Sequence, residues 1–196
     1  MNAATPAPTR EESAQDRWDR IPVIKTGDDY LASLRNRGTR LFLFGELIDE
    51  PADHPIIKPS INALRASYDL AIEDPELATA WSPLIEQQVN RFLHIVESPS
   101  DLVKKNKMQR RMGQITGTCF QRCTGLDTIS VLHSVTYEID EKHGTQYHQR
   151  YLEFLKEAQR KNILIAAGMT DPKGDRSKRP AEQADPDMFM RVTRRT

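Results

Sequence analysis

Apolar residues recur at helical spacing along most of this chain, interrupted by proline- and glycine-marked breaks. Thr26-Gly27-Asp28-Asp29 predicts a helix N-cap with acids in the first turn. Tyr30, Leu31 and Leu34 supply the apolar face, and Gly38 supplies a stop. Arg40 to Gly45 is a short strand-like run, followed by a turn and Leu47-Ile48. His54-Pro55 and Lys58-Pro59 open a helix with Ile61, Leu64, Tyr68 and Leu70 as its apolar positions. Ser82-Pro83 predicts another, carrying Leu84, Ile85, Val89, Phe92 and Leu93, with proline at its tolerated first position. Ser98-Pro99-Ser100-Asp101 breaks that helix and caps one or two more that run to about Asp140. Glycines at 113, 117 and 125 allow a bend or close packing within them. A further helix starts after Gly144-Thr145, through Tyr147, Tyr151, Phe154, Leu155 and Ala158, and Ile163 to Ala167 is a short strand candidate.

The C-terminal stretch changes character. A loop from Met169 to Arg176 and a polar run from Ser177 to Asp185 precede a strand-like segment, Asp187 to Thr193. A strand with no partner after it leaves backbone groups unsatisfied, so the expectation is a truncated chain or one completed by another polypeptide.

The pattern predicts a mainly α protein, and composition adds few constraints. The chain has 196 residues, 38% hydrophobic and 29% charged, with a net charge of +0 and a pI of about 7.0. That balance gives no global attraction to nucleic acid or to an anionic membrane. No apolar run approaches the roughly 20 residues needed to span a bilayer. The N-terminal stretch, rich in Ala, Pro, Thr and charge, reads as a disordered tail over residues 1–22 and lacks the apolar core of a secretory signal. A reduced, cytoplasmic setting is the expectation.

In that setting the two cysteines stand out. Cys119 and Cys123 lie four residues apart in Thr118-Cys119-Phe120-Gln121-Arg122-Cys123, and on a helix both sulfurs would share one face. A helical pair at this spacing makes a poor disulfide. It makes half of a thiolate-held metal site, since such centres take about four ligands. The alternative is a buried structural pair, because cysteine often simply packs. His133 lies ten residues past Cys123, too far along a helix to share a site, while His54, His94, His143 and His148 could join only through the fold.

Two other segments carry candidate chemistry. Lys104, Lys105, Lys107, Arg110 and Arg111 form a basic cluster whose default reading is a solvated helix face, with phosphate contact as the alternative. In the loop Met169, Thr170, Asp171, Pro172, Lys173, Gly174, Asp175 and Arg176, glycine allows close backbone approach and the basic residues suit flavin carbonyls or a pyrophosphate. A surface turn is the plainer reading. There is no dinucleotide fingerprint, P-loop, zinc-protease motif or nucleophile triad.

Several stretches carry a family resemblance: Tyr30 to Arg35, Phe44-Gly45-Glu46, His54-Pro55, Lys58 to Asn62, Lys107 to Arg110, Cys119 to Cys123, Thr136 to Asp140, and Met169 to Arg176. Through them the chain resembles the 4-hydroxybutyryl-CoA dehydratases, a group within the flavin-dependent 4-hydroxyphenylacetate 3-hydroxylase family. The resemblance implies an acyl-CoA-dehydrogenase-like fold of helical, β and helical domains assembled as a tetramer. Residues 23–162 would be the N-terminal helical domain and residues 163–196 the start of the β domain. It implies an acyl-CoA substrate, FAD lined by Met169 to Arg176, and a 4Fe-4S cluster with Cys119 and Cys123 as two of four ligands. The family's aromatic hydroxylases carry arginine and tyrosine at the two cysteine positions. No catalytic acid or base is assigned, and those residues are expected beyond this chain or in its homo-oligomeric or C-terminal partner. The competing expectations are a non-catalytic remnant or assembly partner, and an aromatic hydroxylase component.

Overall fold

The computed structural model describes residues 13–35, 37, 40–118, 122–166, 175, 177–179 and 182. The chain divides into two units, residues 1–166 and 167–196, and every element named below belongs to the first. It is mainly α, as the apolar spacing requires.

The first element lies inside the expected tail. Helix α1 (Ala14–Arg20) forms because Ser13 and Asp16 close a capping box, the Ser13 Oγ accepting from the Asp16 N–H at 3.1 Å. Helix α2 (Gly27–Leu34) starts at Thr26 as read from the sequence. The Asp29 carboxylate accepts the N–H groups of Lys25 and Thr26, both at 3.0 Å, and these bonds hold it below the usual carboxylate range. Strands β1 (Leu41–Leu43) and β2 (Glu46–Ile48) pair antiparallel around Phe44 and Gly45, both with positive φ. Helix α3 (Lys58–Glu73) takes Pro59 in its first turn and buries Ile61, Ala63, Ser67, Tyr68 and Leu70. The short α4 (Pro75–Ala78) follows, capped by Asp74.

The helix expected from Ser82-Pro83 does not exist. Strands β3 (Thr79–Ser82) and β4 (Gln87–Asn90) form a hairpin there, followed by a 3-10 turn at Arg91–Leu93. The apolar spacing was misleading because Leu84 and Ile85 sit in the connecting turn, which closes with Glu86 at φ 53°. Val89 enters the core from a strand, and Phe92 and Leu93 enter from the 3-10 turn. Long-range bonds fix this arrangement over local preference. Ser82 Oγ donates to Gln159 Oε1 at 2.8 Å, and Asn90 Nδ2 donates to the Ser67 carbonyl at 3.2 Å, all buried.

Helix α5 (Pro99–Thr116) is capped by Ser98 and stops at Gly117, whose φ of 60° suits glycine. Helix α6 (Arg122–His143) and helix α7 (Tyr147–Lys161) pack together, so the long predicted stretch is two helices broken at the glycine. Ile163 to Ala166 run without regular structure, where a strand was expected. One apolar cluster joins α3, α5, α6 and α7 through Leu70, Met108, Met112, Leu126, Ile129 and Leu155. A second gathers Ile24, Tyr30, Ile61 and Tyr68. Among the described residues, no helix is long and apolar enough to cross a membrane.

Candidate functional site

The start of α6 holds the most unusual group in the molecule. Arg122 is 1% exposed, a buried cation in a helical domain. Its Nη1 donates to Ser67 Oγ at 2.8 Å and its Nη2 to Asn162 Oδ1 at 3.4 Å. The guanidinium carbon lies 4.4 Å from the Tyr68 ring centroid and 5.0 Å from that of Phe92. Burial pulls its pKa below the ordinary arginine value, while Nε has no hydrogen-bond partner. Tyr68 is itself wholly buried, with an unpartnered hydroxyl whose pKa burial pushes upward. Cys123, half-buried, follows Arg122 in the first turn of α6, against the apolar core. The N-terminal turn of α6 gives this cysteine a setting that favours anionic ligands.

The same turn is where the chain leaves the helical unit. A Cβ on Gly125 would stand 1.9 Å from the Ile165 carbonyl oxygen, so only glycine lets the backbone cross α6 here. Asn162, at φ 51°, ends α7 and donates through Nδ2 to the Ile24 carbonyl at 2.8 Å. Ile24 N–H in turn donates to the Lys161 carbonyl at 3.0 Å. Arg122, Asn162 and Ile24 therefore link the cysteine segment, the exit of α7 and the strand-like approach to α2.

The other predicted residues divide clearly. Cys119 lies outside the described residues, as do Met169, Thr170, Asp171, Pro172, Lys173, Gly174 and Arg176. Asp175 is described: it accepts from the Ser177 hydroxyl at 2.6 Å and its N–H at 3.0 Å, which lowers its pKa. His133 pairs with His148 across α6 and α7, ring centroids 5.0 Å apart, and burial lowers its pKa. Ten residues of helix place it about 15 Å along α6 from Cys123. His94 is buried near Asp101, and His54 Nδ1 accepts from the Ile56 N–H. Among the described residues no three His, Cys, Asp or Glu side chains converge as a metal site. Of the basic cluster, Lys104, Lys107, Arg110 and Arg111 are exposed and Lys105 pairs with Asp127. Tyr68 was read from sequence only as an apolar helix position, and Arg122 and Asn162 were not singled out, because arginine is ordinarily a surface residue and nothing local marks it as buried.

Residues 26–196 match the family model described as 4-hydroxyphenylacetate 3-hydroxylase N terminal. The chain belongs to this family. Over 173 residues it is 47% identical to 4-hydroxybutyryl-CoA dehydratase/vinylacetyl-CoA-Delta-isomerase of Clostridium aminobutyricum, covering 87% of this chain and 35% of that protein. An oxygen-tolerant archaeal 4-hydroxybutyryl-CoA dehydratase from N. maritimus superposes with a TM-score of 0.79 at 59% identity, over 89% of this chain and 35% of that one. The oxygenase component of 4-hydroxyphenylacetate 3-monooxygenase, complexed with FAD and 4-hydroxyphenylacetate, shares the fold at 20% identity and a TM-score of 0.61. That match covers 88% of this chain and 36% of the oxygenase. This family member thus spans about a third of the length of the relatives it matches.

Proposed function

We propose that this chain supplies the N-terminal part of a flavin- and iron–sulfur-dependent enzyme that converts 4-hydroxybutyryl-CoA to crotonyl-CoA and water. The observation that carries the reading is the contrast in identity within one family. The dehydratases match at 47% and 59%, the monooxygenase oxygenase components at only 19% and 23%. The cysteine pair supports it, as does the environment of Arg122. A guanidinium buried without a carboxylate partner among the described residues suits an anionic thiolate-held centre beside it.

In this reading Cys119 and Cys123 hold two corners of a 4Fe-4S cluster, and the loop from Met169 to Arg176 lines FAD. When bound, flavin supplies one-electron chemistry that acidifies the unreactive β-hydrogen, and the cluster supplies a Lewis acid for the departing hydroxyl. The chain's own share is to fix these segments. Gly125, two residues from Cys123, admits the close approach of the Ile165 backbone to the first turn of α6. The Arg122–Ser67 and Arg122–Asn162 bonds lock the first turn of α6 against α3 and α7. The general acid and base lie outside the residues assigned here, and an oligomer or a C-terminal region would contribute them.

The test is a chimera in which residues 26–196 replace the matching segment of the Clostridium dehydratase. The expected result is crotonyl-CoA formation that Cys119→Ser and Cys123→Ser each abolish along with the bound iron. A folded chimera that keeps its iron after either substitution contradicts the ligand assignment. A chimera loaded with iron and flavin yet unable to dehydrate contradicts the activity.

A further inference from the structure

A pocket of about 340 Å³ opens between α4, the β3–β4 hairpin and the first turn of α5. Two buried side chains line it, each with one nitrogen unused. Arg91 is 3% exposed and His94 5%, and Arg91 Nη1 and His94 Nε2 have no hydrogen-bond partner among the described residues. The rest of the Arg91 guanidinium is fixed. Its Nε donates to the Leu77 carbonyl at 2.7 Å, and its Nη2 to the Glu76 carbonyl at 3.4 Å and to that of Thr79. Asp101 lies near both unused nitrogens. Its Oδ1 is 3.8 Å from Arg91 Nη1 and its Oδ2 3.7 Å from His94 Nε2. Each gap is too long for a hydrogen bond, yet short enough for one oxygen atom to bridge it at ordinary bond lengths.

Buried polar groups are nearly always satisfied, so two such nitrogens lining one cavity point to a polar ligand. The surrounding charges decide its class. An anion would meet Asp101 beside the two donors, with Glu76 and Glu97 lining the same pocket. A cation would meet the Arg91 guanidinium, and among the described residues no three His, Cys, Asp or Glu side chains converge to hold one. A neutral hydroxyl fits, because its oxygen accepts from a nitrogen while its proton goes to a carboxylate. Asp101 is suited to accept two of them. Partial burial opposes its ionisation, but the Ser98 hydroxyl and the nearby His94 outweigh that and hold its pKa below the usual carboxylate range. Trp81, 55% exposed, lines the same pocket. Its indole face offers an apolar surface to the C–H face of a saturated ring.

We propose that this pocket binds a neutral sugar or cyclic polyol through two adjacent hydroxyls. One hydroxyl bridges Arg91 Nη1 to Asp101 Oδ1, its neighbour bridges His94 Nε2 to Asp101 Oδ2, and the ring lies against Trp81. The site is independent of the proposed dehydratase activity.

The experiment is a ligand-observed NMR titration of the full chain with glucose, mannose, galactose and myo-inositol, each beside its fully O-methylated derivative. The derivatives keep the ring and its acceptors but have no proton to give to Asp101. Saturable, millimolar binding of at least one of the four is expected, with none by its methylated form. That binding should weaken about tenfold in Asp101→Asn and in Trp81→Ala. Asparagine keeps an oxygen for the Ser98 bond and Trp81 is exposed, so both variants are expected to fold, which circular dichroism checks. The proposal is overturned if none of the four binds at tens of millimolar, which leaves the pocket to water. It is equally overturned by methylated derivatives that bind as well as the parent compounds, or by binding indifferent to both substitutions.

Discussion

Gly125 in α6 faces the Ile165 carbonyl so closely that a Cβ there would stand 1.9 Å from the oxygen and 2.5 Å from its carbon. The obstacle is backbone, which cannot rotate aside as a side chain can. Gly125→Ala should therefore cost more than 2 kcal/mol or so, although alanine is the better helix former by about 1 kcal/mol. Urea denaturation checks this. A variant as stable as the parent would mean that the 163–166 segment does not cross α6 here.

Arg122 poses the opposite question, since its burial is costly and its compensation partial. Two hydrogen bonds and two ring faces offset the desolvation, yet Nε is unpartnered and no carboxylate is bonded to the group among the described residues. An apolar side chain of similar size removes that desolvation cost, and the neutral Ser67 and Asn162 partners leave no buried charge uncompensated. Arg122→Met is expected to stay within about 1.5 kcal/mol of the parent in stability while losing iron in the chimera. A loss of 3 kcal/mol or so with iron retained would mean that Arg122 serves the fold and has no part in holding the iron.

Tyr30 carries a pH prediction. Burial, with a smaller contribution from Tyr68, raises its phenol pKa from 10.0 to about 12. A raised folded-state value means that the neutral phenol stabilises the fold below the unfolded pKa, and that this stability is lost as pH climbs from about 10 through about 12. The contribution is of the order of 2–3 kcal/mol. Stability measured across that range should fall less steeply for Tyr30→Phe than for the parent. Equal slopes would show that another group governs alkaline unfolding.

Asp140 near the end of α6 caps the next helix. Its carboxylate accepts from Thr145 Oγ1 at 2.5 Å, from the Tyr147 N–H at 2.9 Å and from the His148 N–H at 2.8 Å. Partial desolvation opposes ionisation, but these bonds prevail and its pKa lies below the ordinary 3.8. A depressed value means stability present above the unfolded pKa and lost as pH falls through the folded one. Asp140→Ala should lower the melting temperature at neutral pH by roughly 4 °C, as a lost cap does. The difference from the parent should shrink in strong acid. A constant difference across pH would show that the charge is immaterial.

The capping residues made much of this fold legible. Thr26, Ser98 and Gly117 end or begin helices where local chemistry says they should, because caps act within one turn of the chain. The hairpin from Thr79 to Asn90 was illegible for the complementary reason. Its specification comes from Gln159 and Ser67, 77 and 23 residues away from their partners. Leu84 and Ile85 happened to fall at helical spacing while serving a turn. The short α1 was hidden inside a proline-rich stretch although its Ser13–Asp16 box is a local signal. For the candidate site, Cys119 and Cys123 could be proposed from residue type and spacing. The buried Arg122 could not, since its burial depends on α3, α7 and the 3-10 turn closing around it.

The central claim is that Cys119 and Cys123 hold iron, and an anaerobic ultraviolet–visible spectrum tests it most directly. The chimera and its Cys123→Ser variant would be purified under the same conditions, with iron and flavin assayed on each. The account predicts flavin bands over broad iron–sulfur absorbance in the parent, and loss of the broad absorbance and of bound iron in the variant. Identical spectra with unchanged iron would contradict it.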